Sequence, residues 1–249
     1  MSTSRETELE RAPGGRRGTQ GHPAVGRGAL LSFLVLLVMV PAGLFSVITW
    51  QVVTHGPLLR VDQRVSDALV RPDRASEVLS DLGSVQVAVP VLVVVLVHVA
   101  WRARSAGAAR WWLPPLAAGL LMALLPVLLV PLKEWTARHG TDVMPPGVGY
   151  YPSGHTATAA TGYGAAALVL LPWLRAALAR AAVVVLCAVL VLGVSYGLVR
   201  RGYHWPLDVV ASWCLCAVLL SVLWLVIGGF SRSSRRRCSG TASSRTGPS

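Results

Sequence analysis

Lysine is almost absent from this sequence. Of its 23 basic residues one is a lysine, Lys133, and the rest are arginines. Acidic residues number 11, and charged residues make up only 14% of the 249 positions. A chain so poor in charge, and 53% hydrophobic, does not have the composition of a soluble globular domain. Cysteine is scarce too. Cys187, Cys214, Cys216 and Cys238 have the spacing of neither a disulfide framework nor a zinc site. They read as small packing residues. No run interleaves aromatic and basic residues, so the formal charge of +12 is not the footprint of a nucleic-acid binder. The arginines lie in the tails and in short loops between apolar runs, where membrane topology accounts for them.

What the sequence has in quantity is apolar length. Six runs stand out, at 29–53, 85–101, 111–132, 154–174, 181–199 and 206–230. Each is near the roughly 20 residues that a helix needs to cross a bilayer. The second run is rich in valine and would read as a strand in water. Lipid excludes an unpaired strand, so it is expected to be a helix. Pro126 and Pro131 are expected to kink the third run. The sequence therefore predicts an all-α, polytopic membrane protein. Its expected body is a six-transmembrane-helix bundle over 29–230, between disordered basic tails at 1–28 and 231–249. The first run is not a cleavable signal, because its leader is long and carries Glu6, Glu8 and Glu10.

Arginine placement predicts the orientation. The loops at 102–110 and 172–180 and both tails are basic, whereas 54–84 balances its arginines with five acidic residues. The positive-inside bias puts both termini in the cytoplasm. The segments 54–84, 133–153 and 200–206 then face outward. The first is expected to form at most a short amphipathic surface helix and is assigned no chemistry.

In this topology the third run ends at Lys133, the fourth begins near Ser153 and His155, the fifth ends at Arg200 and Arg201, and the sixth begins near His204 and Asp208. All four ends share one side of the membrane, and ionisable residues at that level are functional candidates. The Pro152-Ser153-Gly154-His155 turn opens a helix, which aims free backbone N–H groups at an anion. Gly154 admits close approach. Lys133 and the arginines add positive charge suited to a phosphate. Asp208 follows His204 by four residues, so it can reach back to the ring and fix its tautomer. Duller roles exist for each: a helix cap for His155, an interface pair for His204 and Asp208, snorkelling for Lys133, surface charge for the arginines. Tyr150, Tyr151, Tyr203 and Trp205 are accounted for by anchoring at the membrane interface, with the lining of a lipid-tail entrance as the alternative.

Together these residues resemble the type 2 phosphatidic acid phosphatase (PAP2) superfamily, in its membrane lipid phosphatase branch. That family carries Lys-x6-Arg-Pro, Pro-Ser-Gly-His and Ser-Arg-x5-His-x3-Asp. The second motif stands intact at 152–155, the third keeps His204 and Asp208, and the first keeps Lys133. Both family arginines are missing from their positions, which are Gly140 and Leu198, while Arg138, Arg200 and Arg201 stand nearby. The resemblance implies a metal-independent phosphatase with no cofactor. His204 would attack phosphorus, Asp208 would orient it, and His155 would protonate the leaving group. Lys133, Arg138, Ser153, Gly154, Arg201 and Arg200 would hold the phosphoryl oxygens. The expected substrate is a phosphomonoester or diphosphate on a lipid, of phosphatidic acid or polyprenyl diphosphate type. The expected place is a bacterial plasma membrane with the site facing outward. A catalytically silent lipid-phosphate binder of the same fold is the alternative, motivated by the displaced arginines. Oligomeric state is not encoded in any of these features.

Overall fold

The computed structural model describes residues 27–243, with side chains for residue 32 and for 35–228. Among the described residues all regular structure is helical apart from one isolated bridge between His139 and Val148. The helices are α1 (Arg27–Val53), α2 (Leu58–Leu69), α3 (Arg74–Asp81), α4 (Val85–Ser105), α5 (Leu113–Thr136), α6 (Gly154–Leu170), α7 (Ala177–Arg200) and α8 (Pro206–Ser243). A single 3-10 turn, Leu171–Trp173, follows α6.

Five of these helices are long and apolar enough to cross a membrane: Val35–Val53, Val85–Ser105, Leu113–Thr136, Ala177–Arg200 and Pro206–Gly228. The valine-rich run is a helix, as the exclusion of lone strands from lipid requires. The expected sixth span is α6. At 17 residues it is about 25 Å long, short of a hydrocarbon core of about 30 Å. It has no need of a lipid-facing surface, because 13 of those 17 residues are buried. Alanine, glycine and threonine let α4, α5, α7 and α8 close around it. The carbonyl of Ala88 on α4 lies only 3.4 Å from where a Cβ on Gly162 would stand. Large apolar side chains such as Trp50, Val94, Val127 and Val189 point away from the bundle, as lipid-facing residues should.

The expected tail at 1–28 lies, up to residue 26, outside the described residues. At the other end α8 stays helical to Ser243, past the expected boundary at 230, with no proline in that stretch to stop it. Pro126 and Pro131 both lie inside α5 without ending it.

The segment at 54–84 departs from a plain surface helix. It forms two helices, and their buried positions are polar: Asp62 and Ser66 on α2, Ser76 and Ser80 on α3. Their exposed positions include Val61, Val65, Leu69 and Val78. The polar stripe therefore faces the bundle. Asp73 caps α3 by accepting the Ser76 N–H at 2.7 Å. Helix α3 lies against α7 so closely that a Cβ on Gly197 would stand 2.7 Å from the Ser76 carbonyl oxygen.

Candidate active site

The ends of α5 and α7 and the starts of α6 and α8 meet at one end of the bundle. The joins are specific. The Ser153 N–H donates to the Asp208 carbonyl at 3.2 Å, and the Ser212 hydroxyl donates to the Ser153 carbonyl at 2.9 Å. The Thr141 hydroxyl donates to the Gly202 carbonyl. These bonds tie the loop after α5, the start of α6 and the turn before α8 into one unit.

Pro206 opens α8, and Asp208 falls in its first turn, where a carboxylate complements the helix dipole. The Asp208 side chain is fully buried. One oxygen lies 3.2 Å from His204 Nδ1 and also accepts the Trp205 N–H at 3.2 Å. The spacing of four residues read from the sequence thus becomes a contact. His204 itself is 8% exposed, and the ring of Tyr150 meets it edge-on at 6.3 Å between centroids.

Ser153 is the N-cap of α6 and accepts the Thr156 N–H at 3.3 Å. Where a Cβ on Gly154 would stand there is open space, so an anion can come close to the backbone there. His155 follows and is exposed. Gly154 and His155 share the wall of an apolar cavity of about 540 Å³ with Val85, Val89, Met122 and Leu129 of α4 and α5. Lys133, in the last turn of α5, donates to the Gly149 carbonyl at 2.8 Å.

The arginines have other partners. Arg138 places one guanidinium nitrogen 2.5 Å from Asp208 Oδ1 and another on Asp62 Oδ2. Its guanidinium also lies 5.7 Å from the Trp205 ring centroid. Arg200 donates to Asp73 at 2.8 Å, which ties the end of α7 to the cap of α3. Arg201 donates to the Tyr203 hydroxyl at 3.0 Å and lies 3.8 Å from Glu77. Of the expected residues, the geometry gathers His204, Asp208, Arg138 and Ser153 by direct contact, with Gly154 and His155 following Ser153 in α6. It turns Arg200 and Arg201 toward α3.

Asp62 is the residue that sequence reasoning passed over. One of its oxygens accepts the Leu207 N–H at 2.8 Å and the other receives Arg138. Burial pushes its carboxyl above the ordinary aspartate range, and Arg138 and the Leu207 N–H partly offset this. Tyr151 also needs correction as an interface anchor. Tyr151 is fully buried, and its hydroxyl lies 2.7 Å from that of Thr49 on α1. Tyr150 and Trp205 flank His204 and Arg138. They pack as walls of the site.

A model of the PAP2 superfamily matches residues 116–232. The match spans a little under half of the chain, and over those residues the sequence is similar to the PAP2 superfamily. Its fold is also that of the crystal structure of a transmembrane PAP2-type phosphatidylglycerolphosphate phosphatase from Bacillus subtilis. The TM-score is 0.62 at 24% identity, over 78% of this chain and 96% of that one. A search of the curated proteins finds no match. The matched PAP2 region contains Lys133, Ser153, Gly154, His155, His204 and Asp208 and excludes α1 to α4. The matched stretch lies on helices of which three, α5, α7 and α8, are long and apolar enough to cross a bilayer.

Proposed function

We propose that this protein is a PAP2 phosphatase, which hydrolyses a phosphomonoester or diphosphate on a membrane lipid through a phosphohistidine. The observation that carries the reading is the His204–Asp208 pair at 3.2 Å, set at the same end of the bundle as the open N-terminus of α6. With Nδ1 bonded to Asp208, His204 has Nε2 for the attack on phosphorus. As the N–P bond forms, the P–O bond to the lipid breaks, and His155 gives its proton to the leaving oxygen. Water then attacks the phosphohistidine, His155 takes the proton, and inorganic phosphate leaves. Asp208 stabilises the imidazole cation in both steps.

The phosphoryl oxygens are assigned to Lys133, the Ser153 hydroxyl and the first N–H groups of α6. A donor of this kind contributes about 3 kcal/mol to the transition state. The apolar cavity beside His155 suits a hydrocarbon chain, which favours a lipid over a soluble phosphate ester. Phosphatidic acid and a polyprenyl diphosphate both meet these requirements. The arginine distribution favours both termini inside and the site outward.

One observation favours the silent binder of the same fold: Arg138, Arg200 and Arg201 all have carboxylate partners. Phosphate release by the purified protein in detergent separates the two. The phosphatase should release phosphate from phosphatidic acid or a polyprenyl diphosphate with chelator present, and His204→Ala should abolish it. Release no greater than that of the variant, from both lipids, sinks the hydrolase reading.

A further inference from the structure

Asp62 lies on α2, outside the PAP2 match at 116–232. Its buried carboxylate begins a continuous chain of contacts: Asp62 to Arg138, Arg138 to Asp208 at 2.5 Å, Asp208 to His204 at 3.2 Å. The side chains of both aspartates are 0% exposed, and that of Arg138 is 10% exposed. Two carboxylates thus share one guanidinium directly behind the histidine.

Resting on the phosphohistidine reading, we propose that Asp62 is a positioning residue of the reaction. It acts through Arg138 to hold Asp208 against His204, and Arg138 serves this relay and not the substrate phosphate.

The geometry supports the proposal in two ways. A guanidinium is a planar fork, and its orientation is set when two edges are bonded. Asp62 occupies the edge that Asp208 does not, so Arg138 cannot rotate and carry the Asp208 carboxylate with it. Asp62 is itself held by the Leu207 N–H in the first turn of α8, the helix that bears Asp208. Charge supplies the second support. Arg138 alone would cancel Asp208 and weaken its pull on an imidazole cation. A second carboxylate leaves the three groups net negative, which suits a histidine that becomes cationic when it takes a phosphoryl group.

The arrangement is a poor device for stability. Buried carboxylates carry a desolvation cost, and a whole buried ion triad replaced by apolar groups of similar volume is often as stable or more stable. A costly charge placed behind the nucleophile points to function.

The test uses the full-length protein in detergent micelles with phosphatidic acid. Asp62→Asn keeps the size and an acceptor for the Leu207 N–H, and it removes the charge and the oxygen that Arg138 bonds. We expect kcat to fall about 10- to 100-fold, as for lost outer-shell partners of active groups, with KM within about twofold. Inhibition by inorganic phosphate should be unchanged, and the melting temperature should stay well above that of the assay. Asp62→Glu, which keeps the charge, should recover part of the lost kcat. Arg138→Gln should repeat the kcat loss, and the double variant should be no worse than either single one.

Wild-type kcat in Asp62→Asn overturns the proposal. So does a loss of kcat that tracks a lower melting temperature, which would mark a structural role. A rise in KM and a weaker phosphate inhibition in Arg138→Gln would make Arg138 a phosphate ligand and overturn the relay. Arg138→Gln leaves two buried carboxylates without their cation; if it does not fold, Asp62→Asn alone decides. A wild type that releases no phosphate is a different failure. It sinks the phosphatase reading itself and the relay with it.

Discussion

The ring of Tyr150 fills the space beside Gly140. A Cβ on that glycine would stand 2.8 Å from the ring, and 3.0 Å from the Met144 Cβ. Gly140 is where the family motif places an arginine after Lys133. In this protein the place is taken by a ring whose edge also meets His204. Restoring the arginine would therefore not restore a phosphate ligand. Gly140→Arg must displace Tyr150 from His204, and we expect turnover of phosphatidic acid to fall. Turnover at or above wild type in steady-state assays would show that the family arrangement still fits this site.

The second family arginine is excluded by packing. Leu198 is 1% exposed among Ala88, Ala159, Tyr163 and Val194. Its neighbour Gly197, where the family has serine, faces the backbone of α3, with the Ser80 nitrogen 2.8 Å from a built Cβ. Backbone cannot step aside as a side chain can. Gly197→Ala should cost about 1–3 kcal/mol by forcing α3 off α7. Unfolding in detergent would measure it, and an unchanged midpoint would mean that α3 yields freely.

How much of this could be read beforehand depends on locality. Pro152–His155 and His204–Asp208 were legible because each is a contiguous turn whose members meet through helix geometry alone. The meeting of the four helix ends was legible because hydropathy fixes where each run stops. Arg138 was legible as a charge near the site, but its partners were not. They come from positions 76 residues upstream and 70 downstream, and no spacing rule links them. Asp62 is one of five acidic residues in 54–84, and nothing local separates it from Asp67. The one signal was the pairing of Asp62 with Ser66 on a helix whose apolar residues lie on the other face.

The cap of α3 predicts a pH dependence of stability. Asp73 accepts the Ser76 N–H, and this bond, followed by Arg200, holds its carboxyl at about 2 against an ordinary 3.8. A lowered value means that the fold favours the charged form. The contribution of the cap is then complete above about 3.8 and is lost as pH falls through about 2. Asp73→Ala removes the group that titrates. The gap in melting temperature between wild type and variant should stay level from neutral pH to about 4 and close towards 2. A gap that persists unchanged through that window would show that the ionised carboxylate is not what caps the helix.

The role proposed for His155 can be separated from that of His204 by the choice of leaving group. A lipid alkoxide leaves only with a proton, whereas a nitrophenolate leaves without one. His155→Ala should slow phosphatidic acid turnover by about 10²- to 10⁴-fold, the usual worth of a general acid. With p-nitrophenyl phosphate the first turnover should survive. His204 would still take the phosphoryl group, and nitrophenolate would appear as a burst of about one equivalent per enzyme before a slow release of phosphate. His204→Ala should abolish the burst along with turnover, because it removes the atom that attacks. Rapid mixing with stopped-flow absorbance resolves these cases. If His155→Ala loses the burst as completely as His204→Ala does, then His155 acts before the leaving group departs, in binding or in placing the nucleophile, and the division of labour between the two histidines is wrong.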